Sequence, residues 1–179
     1  GNMAAGVLIE AFGGASDAAF GNFIGEVGGL PNVISGNDQQ GVVIRDAGVT
    51  DNEVVNNFIG LNADGDALIA NGPDGVLVFD NADGNTIGLA GAGNFIAGTP
   101  NNRAGIRLET TDNVAQGNFI GTDSTGAVTL GSHEGIALAA SGNVVGGKSF
   151  GDGNTIRGMA TEGIDGLFGN QILGNSVFD

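Results

Sequence analysis

A right-handed, single-stranded parallel β-helix of about six coils, with three short strands per coil, is the fold that this sequence predicts. Three observations carry that prediction. Glycine reaches 36 of 179 residues, yet 41% of the chain is apolar. The aliphatic residues come in short bursts closed by turn residues, which suits many short strands. The bursts also recur at a fixed step, the mark of a stacked repeat.

The first element of each repeat is a Gly-aliphatic-x-aliphatic tetrad. It reads Gly6-Val7-Leu8-Ile9, Gly41-Val42-Val43-Ile44, Gly75-Val76-Leu77-Val78, Gly105-Ile106-Arg107-Leu108 and Gly135-Ile136-Ala137-Leu138. A degenerate sixth copy is Gly163-Ile164-Asp165-Gly166. The tetrads follow one another at 35, 34, 30, 30 and 28 residues (41−6, 75−41, 105−75, 135−105 and 163−135).

The second element is Asn-x-aliphatic, as in Asn52-Glu53-Val54, Asn85-Thr86-Ile87 and Asn143-Val144-Val145; Asn113-Val114-Ala115 carries alanine at the aliphatic place. The third is Asn-x-Ile or Asn-x-Val, as in Asn57-Phe58-Ile59, Asn94-Phe95-Ile96 and Asn118-Phe119-Ile120. One such coil cannot enclose a core, so it must stack on its neighbours. Stacked parallel strands place like residues in ladders about 4.8 Å apart, so six coils make a rod on the order of 30 Å long. Asparagine and glycine suit the corners, because both tolerate the left-handed conformation. Asparagines at equivalent corners can also bond the coils above and below.

A longer period overlies the short one. Asn32-Val33-Ile34-Ser35-Gly36, Asn94-Phe95-Ile96-Ala97-Gly98 and Asn154-Thr155-Ile156-Arg157-Gly158 are separated by 62 and 60 residues (94−32 and 154−94). Two coil types therefore alternate. In one, the last two strands are close and a long loop follows. In the other, an insertion such as Leu89-Ala90-Gly91-Ala92-Gly93 separates them.

These tetrads, the paired Asn-x-Ile strings and phrases such as Gly117-Asn118-Phe119-Ile120-Gly121-Thr122-Asp123 resemble the right-handed parallel β-helix repeats of large bacterial secreted or surface proteins, of the pectate-lyase-like superfold. The resemblance covers nearly the whole chain and implies a single β-helix domain over residues 1–179, a segment of a longer repeat array. It implies an extracellular or cell-surface setting. It leaves function open, because that superfold carries lyases, hydrolases, epimerases, adhesins and passive stalks.

Composition narrows the function classes. Twenty acidic and five basic residues set the net charge at −15. Such a chain repels a phosphate backbone, so nucleic acid is not an expected partner. No run of about 18 apolar residues exists, so membrane insertion through a helix is not expected. Zero cysteines exclude disulfides and thiolate chemistry.

Polysaccharide cleavage needs carboxylates gathered in a cleft, or a base beside a cation. The basic residues Arg45, Arg103, Arg107, Arg157 and Lys148 are spread over several coils, and no Trp or Tyr is available to stack on a sugar ring. A glycan partner stays open, and no catalytic residue is assigned. Calcium is the only cofactor that the loops suggest. Asn62, Asp64 and Asp66, then Asp80 and Asp83, place oxygen side chains at alternate positions, as calcium loops do. Neither loop completes an EF-hand string, and solvated turns remain the plainer reading. His133-Glu134 pairs the only histidine with a carboxylate, without a second ligand nearby. Threonines 86, 122, 125, 129 and 155 form no single column of the kind that ice binding requires.

Strands alternate sides, so inward second and fourth tetrad residues put the third outside. That column reads Leu8, Val43, Leu77, Arg107, Ala137, Asp165. Its apolar half, Leu8, Val43 and Leu77, is the expected contact surface for a second copy or a neighbouring domain, unless local loops cover it. By the same alternation Phe23, Phe58, Phe95 and Phe119 point outward. The following loops, with Leu68 and Ile69 or Val128 and Leu130, are expected to fold over them as a satellite core. The chain reads as a structural or display scaffold, an adhesin-like stalk segment, with carbohydrate binding or processing as the alternative.

Overall fold

A computed structural model describes residues 2–12, 18–100 and 102–179. It is a right-handed parallel β-helix of six coils, with no helix among the described residues. Coil 1 contains β1 (Val7–Glu10), β2 (Phe23–Ile24) and β3 (Asn32–Ile34); coil 2 contains β4 (Val42–Arg45), β5 (Glu53–Val54) and β6 (Asn57–Ile59). Coil 3 contains β7 (Val76–Phe79), β8 (Thr86–Ile87) and β9 (Phe95–Ile96); coil 4 contains β10 (Ala104–Leu108), β11 (Val114–Ala115) and β12 (Phe119–Ile120). Coil 5 contains β13 (Glu134–Leu138), β14 (Val144–Gly146) and β15 (Thr155–Arg157); coil 6 contains β16 (Ile164–Gly166), β17 (Gln171–Leu173) and β18 (Ser176–Phe178). Each strand pairs in parallel with its counterpart one coil away, which makes three sheets of six strands.

The register is the one that the tetrads predict, with Val42 on Val76 and Val76 on Ile106. The core is one column of inward aliphatics, among them Ile44, Val78 and Leu108 from the first sheet. Ile87 and Val145 come from the second sheet, and Ile59, Ile96 and Ile120 from the third. Ala115 is fully buried at its aliphatic place.

The tetrad glycines serve space rather than conformation, since Gly41, Gly75, Gly105 and Gly135 do not take positive φ. A Cβ on Gly75 would lie 2.5 Å from Ile96 Cγ2 and 2.6 Å from the Gly105 carbonyl oxygen. Each tetrad glycine thus lets the third sheet's isoleucine and the next coil's backbone close on the same point.

Two asparagine ladders run the length of the rod. One joins Asn22, Asn52, Asn85, Asn113, Asn143 and Asn170. The other joins Asn32, Asn57, Asn94, Asn118, Asn154 and Asn175. Along both ladders, backbone or side-chain N–H groups donate to the Oδ1 of the next coil's asparagine. The ladder asparagines have ordinary φ. The left-handed residue is the one before: Gly21, Asp51, Gly84, Asp112, Gly142 and Gly169 all precede members of the first ladder. One residue turns the chain, and the next ties that turn to its neighbours.

The 60-residue alternation has a packing cause. After β6 and β12 the chain makes small antiparallel hairpins, bridged at Leu61–Leu68 and Thr122–Thr129. Each folds back over the short corner of the preceding coil, where Gly36 N–H donates to Ile69 O and Gly98 N–H to Gly131 O. The two hairpins abut, with Ser124 N–H donating to Gly65 O at 2.7 Å. A hairpin whose strands lie about 4.8 Å apart therefore fills the height of two rungs. Adjacent coils cannot both carry one. The opposite corner follows the same rule, and the odd-coil insertions rest on tight even corners, as Asn56 N–H donates to Ala92 O and Gly117 N–H to Asp152 O.

Candidate functional site

The outer face of the first sheet carries the column Leu8, Val43, Leu77, Arg107, Ala137 and Asp165 in register. Its apolar half is not uniformly open. Leu8 is 47% exposed, whereas Val43 and Leu77 are 6% and 9% exposed, although neither belongs to the inner core. Of the expected contact stripe, Leu8 is the residue at the surface.

The polar half of this face is the candidate site. Asp74, at the end of the long loop of coil 2, is fully buried. Its Oδ1 accepts hydrogen bonds from Ala104 N–H at 2.9 Å and Arg107 Nε at 3.1 Å. Its Oδ2 has no hydrogen-bond partner, and Arg103 Nη1 lies 3.9 Å away. Arg107 also reaches Glu134, with Nη2 3.5 Å from Oε2. The Arg107 and Glu134 side chains are 18% and 13% exposed, so water screens this pair little. Burial pushes the Glu134 carboxyl up, as do Asp165 and Glu162; Arg107 and His133 pull it down, and the net direction is up. Arg107, Glu134, Ala137, Leu138, Asp165 and Leu167 line an open depression of about 320 Å³ over coils 4 to 6.

Coil stacking thus unites three residues that lie far apart in sequence. Asp74 escaped the sequence reading, but a signal was present. It precedes the tetrad glycine Gly75, as Glu134 precedes Gly135, 60 residues later (134−74). The long loops of coils 2 and 4 both end on an acidic residue. The buried Nδ1 of the neighbouring His133 has no hydrogen-bond partner.

The two calcium-like loops lie at different corners. In the first, Asn62 Oδ1 accepts from the N–H groups of Asp66 and Ala67, and Asn62 Nδ2 donates to Asp66 Oδ1 at 2.8 Å. Asp64 stands at the tip, where its carbonyl receives Ser124 Oγ at 3.5 Å. In the second, Asp80 is left-handed, and Asp83 Oδ1 accepts from Thr111 N–H of the next coil at 3.0 Å. Among the described residues no three His, Cys, Asp or Glu side chains gather as a metal cluster. Asp123 holds the place of Asn62 in the coil 4 hairpin. Burial raises its carboxyl, but hydrogen bonds from the Thr125 hydroxyl and the backbone N–H groups of Val128, Ala127 and Thr125 outweigh that and hold it below the usual range.

The phenylalanines divide. Phe58, Phe95 and Phe119 form an outer ladder on the third sheet. Phe58 and Phe95 meet edge to face with ring centroids 5.7 Å apart; Phe95 and Phe119 stack at 4.8 Å. Phe58, Leu61 and Ala97 make a buried satellite cluster against Phe95 and Leu130. The satellite core that the sequence implied closes over Phe58, while Phe95 and Phe119 are half-buried and Leu68, Ile69 and Val128 stay exposed. Phe23 does not join it: β2 belongs to the second sheet, where Phe23 pairs with Glu53 and is exposed.

No family model, curated protein or solved structure matches the chain. The site therefore has to be read from its own geometry.

Proposed function

We propose that the chain is a rigid structural segment, a spacer or display scaffold of the adhesin-like stalk kind, in a bacterial protein that works outside the cell or at its surface. One observation carries the reading: two six-membered asparagine ladders and three six-stranded sheets bind every coil to the next without interruption. Most buried polar side chains are spent on bonds between coils, which resist bending and shear. Leu8 offers an apolar contact for a second copy or a neighbouring domain. The oxygen-rich turns at Asn62, Asp64 and Asp66 and at Asp80 and Asp83 would bind calcium only to stiffen loops. The experiment is a pull on the two chain termini of a single molecule. The folded length should hold until the coils release together or in coil-sized steps. Gradual extension from the lowest force would refute a mechanical role.

The second reading is carbohydrate binding or processing, favoured by the Arg107, Glu134 and Asp165 constellation on three successive coils. A screen of neutral and acidic polysaccharides, with and without calcium, tests it. Turnover lost in Glu134→Gln would displace the scaffold reading. A melting shift with calcium alone would assign the loops a structural ion.

A further inference from the structure

Arg107 stands between two carboxylates on opposite sides of its own rung. Ala104 of coil 4 pairs with Glu134 of coil 5, and the register of Ile106 on Val76 sets Ala104 over Asp74. Asp74 and Glu134 therefore flank coil 4 in one column, one rung below and one above. Arg107 reaches both, with Nε donating to Asp74 Oδ1 at 3.1 Å and Nη2 to Glu134 Oε2 at 3.5 Å. Nε and Nη2 form one side of the guanidinium fork, whose spacing matches the two oxygens of a single carboxylate. Here that fork is split between two carboxylates, and the split leaves a gap. Asp74 is fully buried, yet among the described residues its Oδ2 has no hydrogen-bond partner, and Arg103 Nη1 comes only to 3.9 Å. A buried acceptor left without a donor is costly. The missing donor is the Nη2 group that is turned to Glu134.

We propose that Arg107 is a proton-operated clamp: while Glu134 is ionised the guanidinium is shared between the rungs below and above, and when Glu134 takes up a proton Nη2 turns onto Asp74 Oδ2 and Arg107 closes on Asp74 as a bidentate pair. Glu134 lines the open depression over coils 4 to 6, so water can deliver the proton. The groups that face it are Arg107 on β10, Asp165 on β16, Glu162 just before β16 and the adjacent His133. Asp74 faces Arg107 and Arg103. Four carboxylates thus share two guanidinium groups, and a proton on Glu134 removes one excess negative charge. Burial and the two neighbouring carboxylates hold the Glu134 carboxyl above the ordinary glutamate range, so the clamp closes before most carboxylates titrate. Closing discharges a buried carboxylate and satisfies the Asp74 oxygen together. Acid therefore tightens this part of the rod, and neutrality relaxes it. The clamp depends neither on the scaffold reading nor on a glycan.

Carbon-detected NMR can follow the Glu134, Glu162 and Asp165 carboxyls and the His133 ring through an acid titration. Crystal structures on either side of the Glu134 midpoint then read the contacts of Arg107. Below the midpoint Nη2 should lie about 2.8 Å from Asp74 Oδ2 and should have left Glu134. Above it the split arrangement should return. Glu134→Gln should show the acid arrangement at neutral pH, and its Arg107 side-chain signals should no longer move in this range. The wild-type titration decides by itself should that variant not fold. An Arg107 that keeps its contact to Glu134 below the midpoint overturns the proposal. So does one that already holds both Asp74 oxygens above it, or one whose change follows Glu162, Asp165 or His133 instead of Glu134.

Discussion

Replacing Asn118 by alanine tests whether the ladders hold the rod together. Asn118 is fully buried at the middle of its ladder. Its Oδ1 accepts from Asn94 N–H at 3.0 Å and Asn94 Nδ2 at 2.9 Å. Its Nδ2 donates to Ile87 O at 2.8 Å and Asn154 Oδ1 at 2.9 Å. Alanine deletes all four bonds and keeps the two backbone ones, the donation to Asn154 Oδ1 and the acceptance from Thr155 N–H. A hydrogen bond contributes about 1 kcal/mol net, so the loss amounts to about 4 kcal/mol. The buried Asn94 N–H is left without an acceptor, which adds to the cost. A domain stable by some 5–15 kcal/mol would lose a large fraction of its margin. Asn175→Ala supplies the contrast. That residue is only half-buried in the last coil, where water replaces part of what is lost. Its cost should be about 1 kcal/mol. Urea titration followed by circular dichroism measures both, with the slope checked because repeat arrays can lose two-state cooperativity. A cost for Asn118→Ala below about 1 kcal/mol would refute the ladder as a source of stability.

Gly75→Ala should destabilise by about 2 kcal/mol or more, since its Cβ meets a neighbouring coil's carbonyl. Gly84→Ala, in open space at φ +70°, should lose only about 1 kcal/mol from backbone strain. Thermal melts rank the two, and the reverse order would contradict the steric argument. Arg107→Met should cost about 3 kcal/mol by stranding the buried Asp74 carboxylate, and Asp74→Asn in the same chain should restore most of it. No recovery in the double variant would mean that Arg107 acts through packing alone. The Glu134 carboxyl, raised in the folded state, contributes stability that is present below the unfolded glutamate value and lost as pH rises through the higher folded value. Glu134→Gln should therefore flatten the stability profile on the neutral side of that range. An unchanged profile in acid titration monitored by melting would refute the direction. Asp123 has the opposite sign: its contribution is present above the unfolded aspartate value and disappears as pH falls through the lower folded value. Asp123→Asn should remove that acid-side loss.

The repeat made the fold legible. Once Gly41, Gly75, Gly105 and Gly135 are aligned, the parallel register of the first sheet follows, because a slip of one residue would turn every aliphatic to the wrong side. The ladder positions were equally visible. The conformational role of the first ladder's asparagines was not, since the left-handed turn there belongs to the residue before, and both residue types tolerate it. Phe23 was misplaced for a similar reason. Its neighbours look like a third strand, yet the chain still had to pass Asn32 before closing coil 1.

The sequence by itself determined the solenoid, its six rungs and the alternation of coil types, because these are periodicities and every period is printed in the chain. Only the tertiary structure decided what that alternation means: a hairpin is two strands thick, so it claims two rungs. Only stacking could bury Val43 and Leu77 yet leave Leu8 open, or bring Asp74 beside Arg107 and Glu134 from three coils. Proximity across rungs depends on loop length and on how loops fold back over neighbouring coils. A column of aligned residues does not record that folding, and so, of the apolar half that the sequence marked as a contact stripe, only Leu8 stays open.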